Sequence, residues 1–213
     1  KAFSYDIKTL ESEIALVNSS YFPVLSDDAE KRMTALIERT AAELDSVGGI
    51  LESAVTGMPA GIGEPWFNSL ESVLAQLLFS VPAIKGVEFG LGFGFADLNG
   101  SLANDSYRMD QQSARVVTAT NNNGGINGGI TNGMPLKLRC AVKPTPSIYK
   151  EQDSINMTTK ENVKLSIKGR HDPAIIHRAR VVTDSVIAIG LLALMTGRFG
   201  YLWQSEIIKG EPL

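Results

Sequence analysis

The sequence predicts an α+β fold, a layered sheet–helix sandwich in which antiparallel sheets pack around helices. Helix-like and strand-like segments are mixed along the chain without the regular strand–helix–strand order of a parallel sheet. Two segments alternate apolar and polar residues, which is typical of antiparallel strands that are covered on one face only. A chain of 213 residues has the length of one or two domains and can bury about 70% of its unfolded surface, so it needs no stabilising disulfides. We take residues 1–213 as a single domain.

Composition excludes several classes of partner. The 20 Lys and Arg residues against 23 Asp and Glu residues leave a net charge of −3, so no basic excess indicates a nucleic-acid partner. The single cysteine, Cys140, excludes a disulfide framework and a Cys-rich metal site. Only two histidines, His171 and His177, remain for a zinc centre, and we therefore expect no metal.

The most apolar stretch, residues 186–195, has half of the roughly 20 residues that a membrane span requires. We interpret it as part of a buried helix. The first six residues contain no apolar segment typical of a secretory signal peptide. The expectation is a cytoplasmic protein without membrane contact.

Helices are predicted from capping residues and apolar spacing, and strands from alternation. Ser26 caps the first helix, which has acids in its first turn and which Gly48-Gly49 stops. Cys140 alternates inward with its apolar neighbours, so we expect a core thiol. The other predicted elements are strand 50–56, helix 68–79, strand 87–89, the strand containing Leu136, Leu138, Cys140 and Val142, the strand containing Val163, Leu165 and Ile167, and helix 174–195.

Residues 95–134 form a long, polar, glycine-rich loop, and such loops in compact domains usually have a function. The paired glycines of residues 121–133 allow positive φ angles and close approach to a ligand, and successive N–H groups can bind an anion. The alternative is a plain flexible loop with tight turns. The run is neither a phosphate-binding P-loop nor a dinucleotide fingerprint.

Two further segments offer polar chemistry. Lys143-Pro144-Thr145-Pro146-Ser147 combines a stiff backbone with one charge and two hydroxyls, which suits a phosphate or a polar ring edge. Its alternative is a proline-rich strand exit. In Gly169-Arg170-His171-Asp172-Pro173, Asp172 and Pro173 predict the N-cap and first residue of the last helix. Alternatively, or in addition, Arg170 clamps a phosphate and Asp172 handles a proton.

Six motifs, taken together in this order, resemble those of the chorismate synthase family, and the match covers about residues 40–195. The motifs are Asp45-Ser46-Val47-Gly48-Gly49, Gly61-Ile62-Gly63-Glu64-Pro65, Ser80-Val81-Pro82-Ala83-Ile84-Lys85-Gly86-Val87-Glu88-Phe89-Gly90, the asparagine- and glycine-rich run at residues 121–133, Lys143-Pro144-Thr145-Pro146-Ser147 and Gly169-Arg170-His171-Asp172-Pro173.

The resemblance implies a lyase that removes phosphate from 5-enolpyruvylshikimate 3-phosphate by 1,4-anti elimination, giving chorismate in the shikimate pathway of aromatic amino acid biosynthesis. It implies reduced FMN as cofactor, a homotetramer of layered sheets and helices and, in some members, an NADP-linked flavin reductase activity. Asp172 corresponds to a catalytic carboxylate near flavin N5. The implied FMN contacts are Pro82, Ala83, Gly128, Lys143, Pro144, Thr145, Pro146, Ser147 and Arg170.

The sequence departs from the family pattern in two ways. The family's N-terminal Gly-Glu-Ser-His-Gly motif and its Arg-Ser-Ser-Ala-Arg-like segment are absent, so we interpret the chain as the C-terminal portion, inactive alone. Ala174 stands where the family usually has Cys, and residues 100–105 depart from its Gly-Ser-Glu-His-Asn-Asp stretch. The alternatives to a lyase are a non-catalytic module that binds FMN or phosphate, and an assembly module.

Overall fold

A computed structural model describes residue 3, residues 7–111 and residues 114–201. Its strand pairings are antiparallel and its helices are interspersed irregularly, which confirms the predicted α+β architecture. The helices are α1 (Ile7–Ser19), α2 (Asp27–Ala42), α3 (Leu70–Ser80), α4 (Gly100–Ala103) and α5 (Ile176–Phe199), with short 3-10 helices at Trp66–Asn68 and Gly92–Asp97. The strands are β1 (Gly49–Val55), β2 (Ile84–Phe89), β3 (Tyr107–Asp110), β4 (Arg115–Thr118), β5 (Ile126–Asn127), β6 (Ile130–Thr131), β7 (Leu136–Val142), β8 (Gln152–Ile155) and β9 (Asn162–Leu165).

A three-stranded sheet in the order β1-β7-β2 forms the centre of the molecule. Cys140 of β7 lies opposite Leu51 on one side and Val87 on the other. Helices α3 and α5 pack on the face that Cys140 shares with alternate residues of β7, as the alternation predicted. These β7 residues, none more than 3% exposed, are Leu136, Leu138, Cys140 and Val142.

Cys140 is the core thiol that the alternation predicted. It is 2% exposed, and burial raises the pKa of its thiol to about 11. A thiol in this environment stays protonated at neutral pH and is a poor nucleophile. Cys140 therefore serves packing in this fold.

The other face of β7 carries charge and is less exposed than the sequence predicted. Lys137 is only 5% exposed because its ammonium group lies 3.1 Å from a carboxylate oxygen of Glu52 and donates to the carbonyl of Phe3 at 2.7 Å. Arg139 pairs with Glu88 of β2. Ion pairs across neighbouring strands thus offset the charges on this face, and the buried Nε of Arg139 has no hydrogen-bond partner among the described residues.

Three predictions of local structure were wrong. The strand around Val163 has no buried face, because within the described residues β9 pairs with β8 alone and all of its residues are exposed. Residues 95–134 are not a continuous loop, since they contain α4 and the hairpins β3–β4 and β5–β6. Helix α2 ends at Ala42, before Gly48-Gly49, and Leu44 after it has a φ of 62°.

Helix α5 was predicted to be buried, and only one stripe of it is. Its buried residues contact α3 and the sheet, whereas Val181 and Ile189 are more than 60% exposed. Its length and apolarity meet the criteria for a membrane span, but a core helix of a soluble protein meets them equally. The buried stripe packs on the same core as α3 and the sheet, and 28% of the most apolar 18-residue window is buried.

Residues 1–2, 4–6, 112–113 and 202–213 lie outside the described residues.

A buried carboxylate anchors the start of the glycine-rich run. Asp105, 9% exposed, accepts hydrogen bonds from the Thr120 hydroxyl at 2.6 Å and from the backbone N–H groups of Asn122 and Asn123 at 2.7 and 2.8 Å. Burial acts to raise the pKa of Asp105, but the hydrogen bonds outweigh it and hold the pKa below the ordinary 3.8. The ionised carboxylate therefore stabilises the folded loop.

We predict that Asp105→Asn lowers the free energy of unfolding at pH 7 by about 2 kcal/mol, because the amide turns a donor toward buried donors. Since the folded pKa is depressed, the loss is fully present above pH 3.8 and shrinks as the pH falls below it. Urea denaturation across pH measures this. Asp153→Asn, at an 88% exposed side chain, is the control that leaves the transition unchanged. Equal stability of wild type and Asp105→Asn at pH 7 would contradict the role.

Two neighbouring glycines at the start of β1 give a second prediction. A Cβ on Gly48 would collide with the Val142 carbonyl oxygen and lie 3.0 Å from the Pro144 ring. Neither the backbone carbonyl nor the proline ring can move aside easily. A Cβ on Gly49 would meet only the mobile end of Ile176. We expect Gly48→Ala to lower the free energy of unfolding by about 2 kcal/mol and Gly49→Ala by clearly less. Denaturation of the two variants side by side tests this, and equal losses would refute it.

Candidate functional site

The turn before β1 joins two of the segments that the sequence singled out. The Ser46 hydroxyl donates to the carbonyl of Thr145 at 2.6 Å, and the backbone N–H of Val47 donates to the carbonyl of Pro173 at 2.8 Å. Residues 143–147 and residues 169–173 therefore meet at two consecutive residues of the same turn. Thr145 and Asp172 belong to one region of the surface.

An aromatic pair adds a contact beside this junction, between segment 169–173 and Tyr149, which lies two residues after segment 143–147. The Tyr149 hydroxyl donates to the Gly169 carbonyl, and its ring makes an edge contact with the ring of His171 at a centroid distance of 4.6 Å. A ring nitrogen of His171, Nε2, lies 2.9 Å from the carbonyl of Ile167. These contacts shape the turn that carries Arg170 and Asp172.

Pro82 and Ala83 lie at the same end of the sheet, because β2 begins where its antiparallel partner β7 ends. The backbone N–H of Lys143 donates to the Ala83 carbonyl at 2.9 Å. Ala83 has a φ of 74°, an uncommon conformation for a residue with a side chain. The structure thus brings to one end of the sheet the three segments 82–83, 143–147 and 169–173, which contain nine of the ten sequence-predicted site residues.

Gly128 is the exception. It lies in the β5–β6 turn beside the start of α3, where the backbone N–H of Leu70 donates to the Gly129 carbonyl at 2.9 Å. Pro82 and Ala83 follow the other end of α3, about 16 Å away along a helix of 11 residues. The peptide at Gly128 is open, since a Cβ there would meet no heavy atom within 4 Å.

The joined segments present polar groups that lack protein partners. Thr145 Oγ1 is buried and has no hydrogen-bond partner among the described residues, which is uncommon for a buried hydroxyl. Lys143 and Arg170 are exposed, and within the part of the chain that the structure describes their side chains enter no hydrogen bond or ion pair. One orphaned hydroxyl and two uncompensated cations suit an anionic ligand with polar edges.

Asp172 is not the helix cap that the sequence predicted. Helix α5 begins at Ile176, its N-cap is Ile175, and no side chain caps it. The Asp172 carboxylate instead pairs with the Arg178 guanidinium, with Oδ2 2.8 Å from Nη1 and Oδ1 3.4 Å from Nη2. The cap prediction was wrong because α5 begins four residues after Asp172, beyond the reach of an N-cap side chain.

Sequence reasoning gave no role to the residues that hold the site together. Asp45 pairs with Lys150 at 2.8 Å, and the hydrogen bonds from Lys150 and from the Ser46 backbone lower the pKa of Asp45. The hydrogen bond to Asp45 raises the pKa of Lys150 in turn. The only signal was the Asp45-Ser46-Val47-Gly48-Gly49 motif, whose residue types indicate no chemistry by themselves.

Other features of the described residues lie apart from this region. A cavity of about 700 Å³ runs between α1, α2, β1 and α5, and none of the predicted site residues lines it. Within residues 7–111 and 114–201, no group of three or more His, Cys, Asp or Glu side chains is placed to hold a metal ion. Glu64 accepts a hydrogen bond from the Asn68 side chain at 3.2 Å.

Comparisons with known proteins agree on one family. The family model described as chorismate synthase matches residues 2–196. The chain is 49% identical to the chorismate synthase of Dehalococcoides mccartyi over 171 residues, which is 79% of this chain and 46% of that protein. It is 45% identical to the chorismate synthase of Methanosarcina mazei over 184 residues, which is 85% of this chain and 50% of that protein.

A solved structure described as a crystal structure of chorismate synthase superposes with a TM-score of 0.76 at 26% sequence identity. The superposition covers 96% of this chain and 54% of that one. The chain therefore spans about half the length of the relatives that it matches. Because the family model covers most of its residues, the chain belongs to the chorismate synthase family.

Proposed function

We propose that the chain is the C-terminal portion of a chorismate synthase, with residues 1–213 as one domain of it. The reaction is the 1,4-anti elimination of phosphate and a ring hydrogen from 5-enolpyruvylshikimate 3-phosphate, which gives chorismate. The observation that carries the proposal is the convergence of residues 143–147 and 169–173 on one turn. These are the two segments to which the family resemblance gives most of the cofactor contacts.

The residues present fit reduced FMN. A buried hydroxyl without a partner, Thr145 Oγ1, is the kind of group that a bound polar ring edge satisfies. The proposed holders are Pro82, Ala83, residues 143–147 and Arg170, with Gly128 as a further contact from the other end of α3. The chemistry that reduced FMN supplies when bound is a transient donation of electron density as phosphate leaves.

The chain's own residues supply charge and a proton carrier. Lys143 and Arg170 have no acidic partner among the described residues, so their charges remain available to the anionic groups of cofactor and substrate. Asp172 holds or moves a proton at a carboxylate oxygen. The 29% exposure of its side chain leaves that oxygen within reach of a ligand.

We further propose that turnover requires the remaining half of the family's length and that the assembled enzyme is a cytoplasmic homotetramer. The chain spans 46% of the Dehalococcoides mccartyi relative. Additional basic groups for the substrate phosphate would come from the half that this chain does not cover. The chain alone is then expected to hold FMN without turnover.

The first test is anaerobic titration of the chain with reduced FMN, with and without 5-enolpyruvylshikimate 3-phosphate, followed by flavin absorbance. Lys143→Ala and Arg170→Gln should each weaken FMN binding about tenfold or more, because each removes a charge-assisted hydrogen bond. Arg32→Gln, which breaks an exposed ion pair with Asp28, is the matched control.

The second arm adds the part of the Dehalococcoides mccartyi chorismate synthase that this chain does not cover. Chorismate formed only by the combined polypeptides, hereafter the complemented enzyme, supports the lyase. Flavin binding without chorismate indicates the non-catalytic binding module. If the flavin spectrum never responds, with or without the added half, the proposal is wrong and an assembly module is favoured.

A further inference from the structure

The geometry of the Asp172–Arg178 ion pair restricts the orientation of the Asp172 carboxylate. Both carboxylate oxygens face both terminal guanidinium nitrogens, at 2.8 Å and 3.4 Å. Two parallel contacts between planar groups fix the rotation of the carboxylate as well as its position. A single contact from an ammonium group leaves that rotation free.

Stability does not explain the pair. The side chain of Arg178 is 71% exposed and that of Asp172 is 29% exposed. Ion pairs with this degree of solvent contact contribute little to folding. The N-terminus of α5 also gains no side-chain cap from Asp172.

The backbone on both sides of Asp172 is already held. The Pro173 carbonyl accepts from Val47, and the Gly169 carbonyl accepts from Tyr149. The remaining freedom of Asp172 is in its side-chain torsions. Arg178, in the first turn of α5, is the partner that restricts them.

The cations around the turn divide into two kinds. The Arg170 side chain has no hydrogen-bond or ion-pair partner among the described residues, whereas Arg178 is committed to a carboxylate of the same chain. A cation that is free can bind a ligand. Both terminal nitrogens of Arg178 contact Asp172, so Arg178 can orient that carboxylate instead of binding a ligand.

We propose that Arg178 is the positioning residue of Asp172: it aims the carboxylate that moves the proton and does not itself contact substrate. This inference rests on the proposed function. Because misplacing a reacting group by about 1 Å can cost on the order of 100-fold in rate, the pair matters to kcat far more than to folding.

The experiment compares Arg178→Gln, Arg178→Lys and Asp172→Asn in the complemented enzyme, with Arg32→Gln as the control for loss of an exposed Arg–Asp pair. We expect Arg178→Gln to lower kcat on the order of 100-fold with KM for 5-enolpyruvylshikimate 3-phosphate nearly unchanged. Arg178→Lys should give an intermediate kcat, since it restores the charge without the planar fork. The thermal midpoints should match that of Arg32→Gln, which excludes misfolding as the cause.

Each other outcome has a definite meaning. If Asp172→Asn is inactive while Arg178→Gln matches Arg32→Gln, the positioning role is wrong and the proposed function stands. A rise in KM with unchanged kcat also overturns the positioning role, because Arg178 then binds substrate directly. If Asp172→Asn retains full activity, the proton-moving role of Asp172 and the positioning role of Arg178 are both wrong, and the lyase stands. If the wild-type complemented enzyme makes no chorismate, the proposed function fails and the inference fails with it.

Discussion

Two hydrogen bonds from consecutive residues hold the candidate site together. Ser46 fixes the carbonyl of Thr145 and Val47 fixes the carbonyl of Pro173. The donors sit on a turn that leads directly into β1, whose pairing with β7 is antiparallel along its whole length. The sheet therefore sets the position of the turn, and the turn sets the distance between residues 143–147 and 169–173. Gly48 makes this possible because any side chain there would collide with the end of β7.

Charge around the turn is distributed unevenly, and this gives the region its chemical character. Asp45 is neutralised by Lys150, and Asp172 by Arg178. Lys143 and Arg170 have no such partner among the described residues. The joined segments therefore carry two available cations and one buried hydroxyl that has no hydrogen bond within the described part of the chain. An anionic cofactor with a polar ring edge matches these groups, and the matched family is one whose members are named chorismate synthase.

Local sequence patterns predicted a buried strand face correctly where other elements cover that face. They failed where contacts with residues outside the pattern determine burial or a helix start. The alternation in β7 identified its buried face, because α3 and α5 pack on the apolar face of the strand. The same alternation around Val163 failed, because all four residues of β9 are exposed. Asp172 followed by Pro173 has the composition of a helix start, yet α5 begins at Ile176 and the carboxylate pairs with Arg178.

The candidate site shows the same division. Motif resemblance named residues 143–147 and 169–173, and the structure brings them together. It could not reveal the contacts that join them, since Ser46 lies 99 residues from Thr145 in the sequence. Gly128 lies at the opposite end of α3 from Ala83. This separation follows from the hydrogen bond between Leu70 at the start of α3 and the Gly129 carbonyl, which the motif does not indicate.

Hydrogen–deuterium exchange of the chain on addition of reduced FMN measures the central claim most directly. If one ligand engages both segments, exchange slows together at the amides of Lys143, Thr145 and Ser147 and at those of residues 169–172, while α2 is unaffected. Slowing in only one segment, or none at saturating FMN, would contradict a flavin site built where Ser46 and Val47 join the two segments.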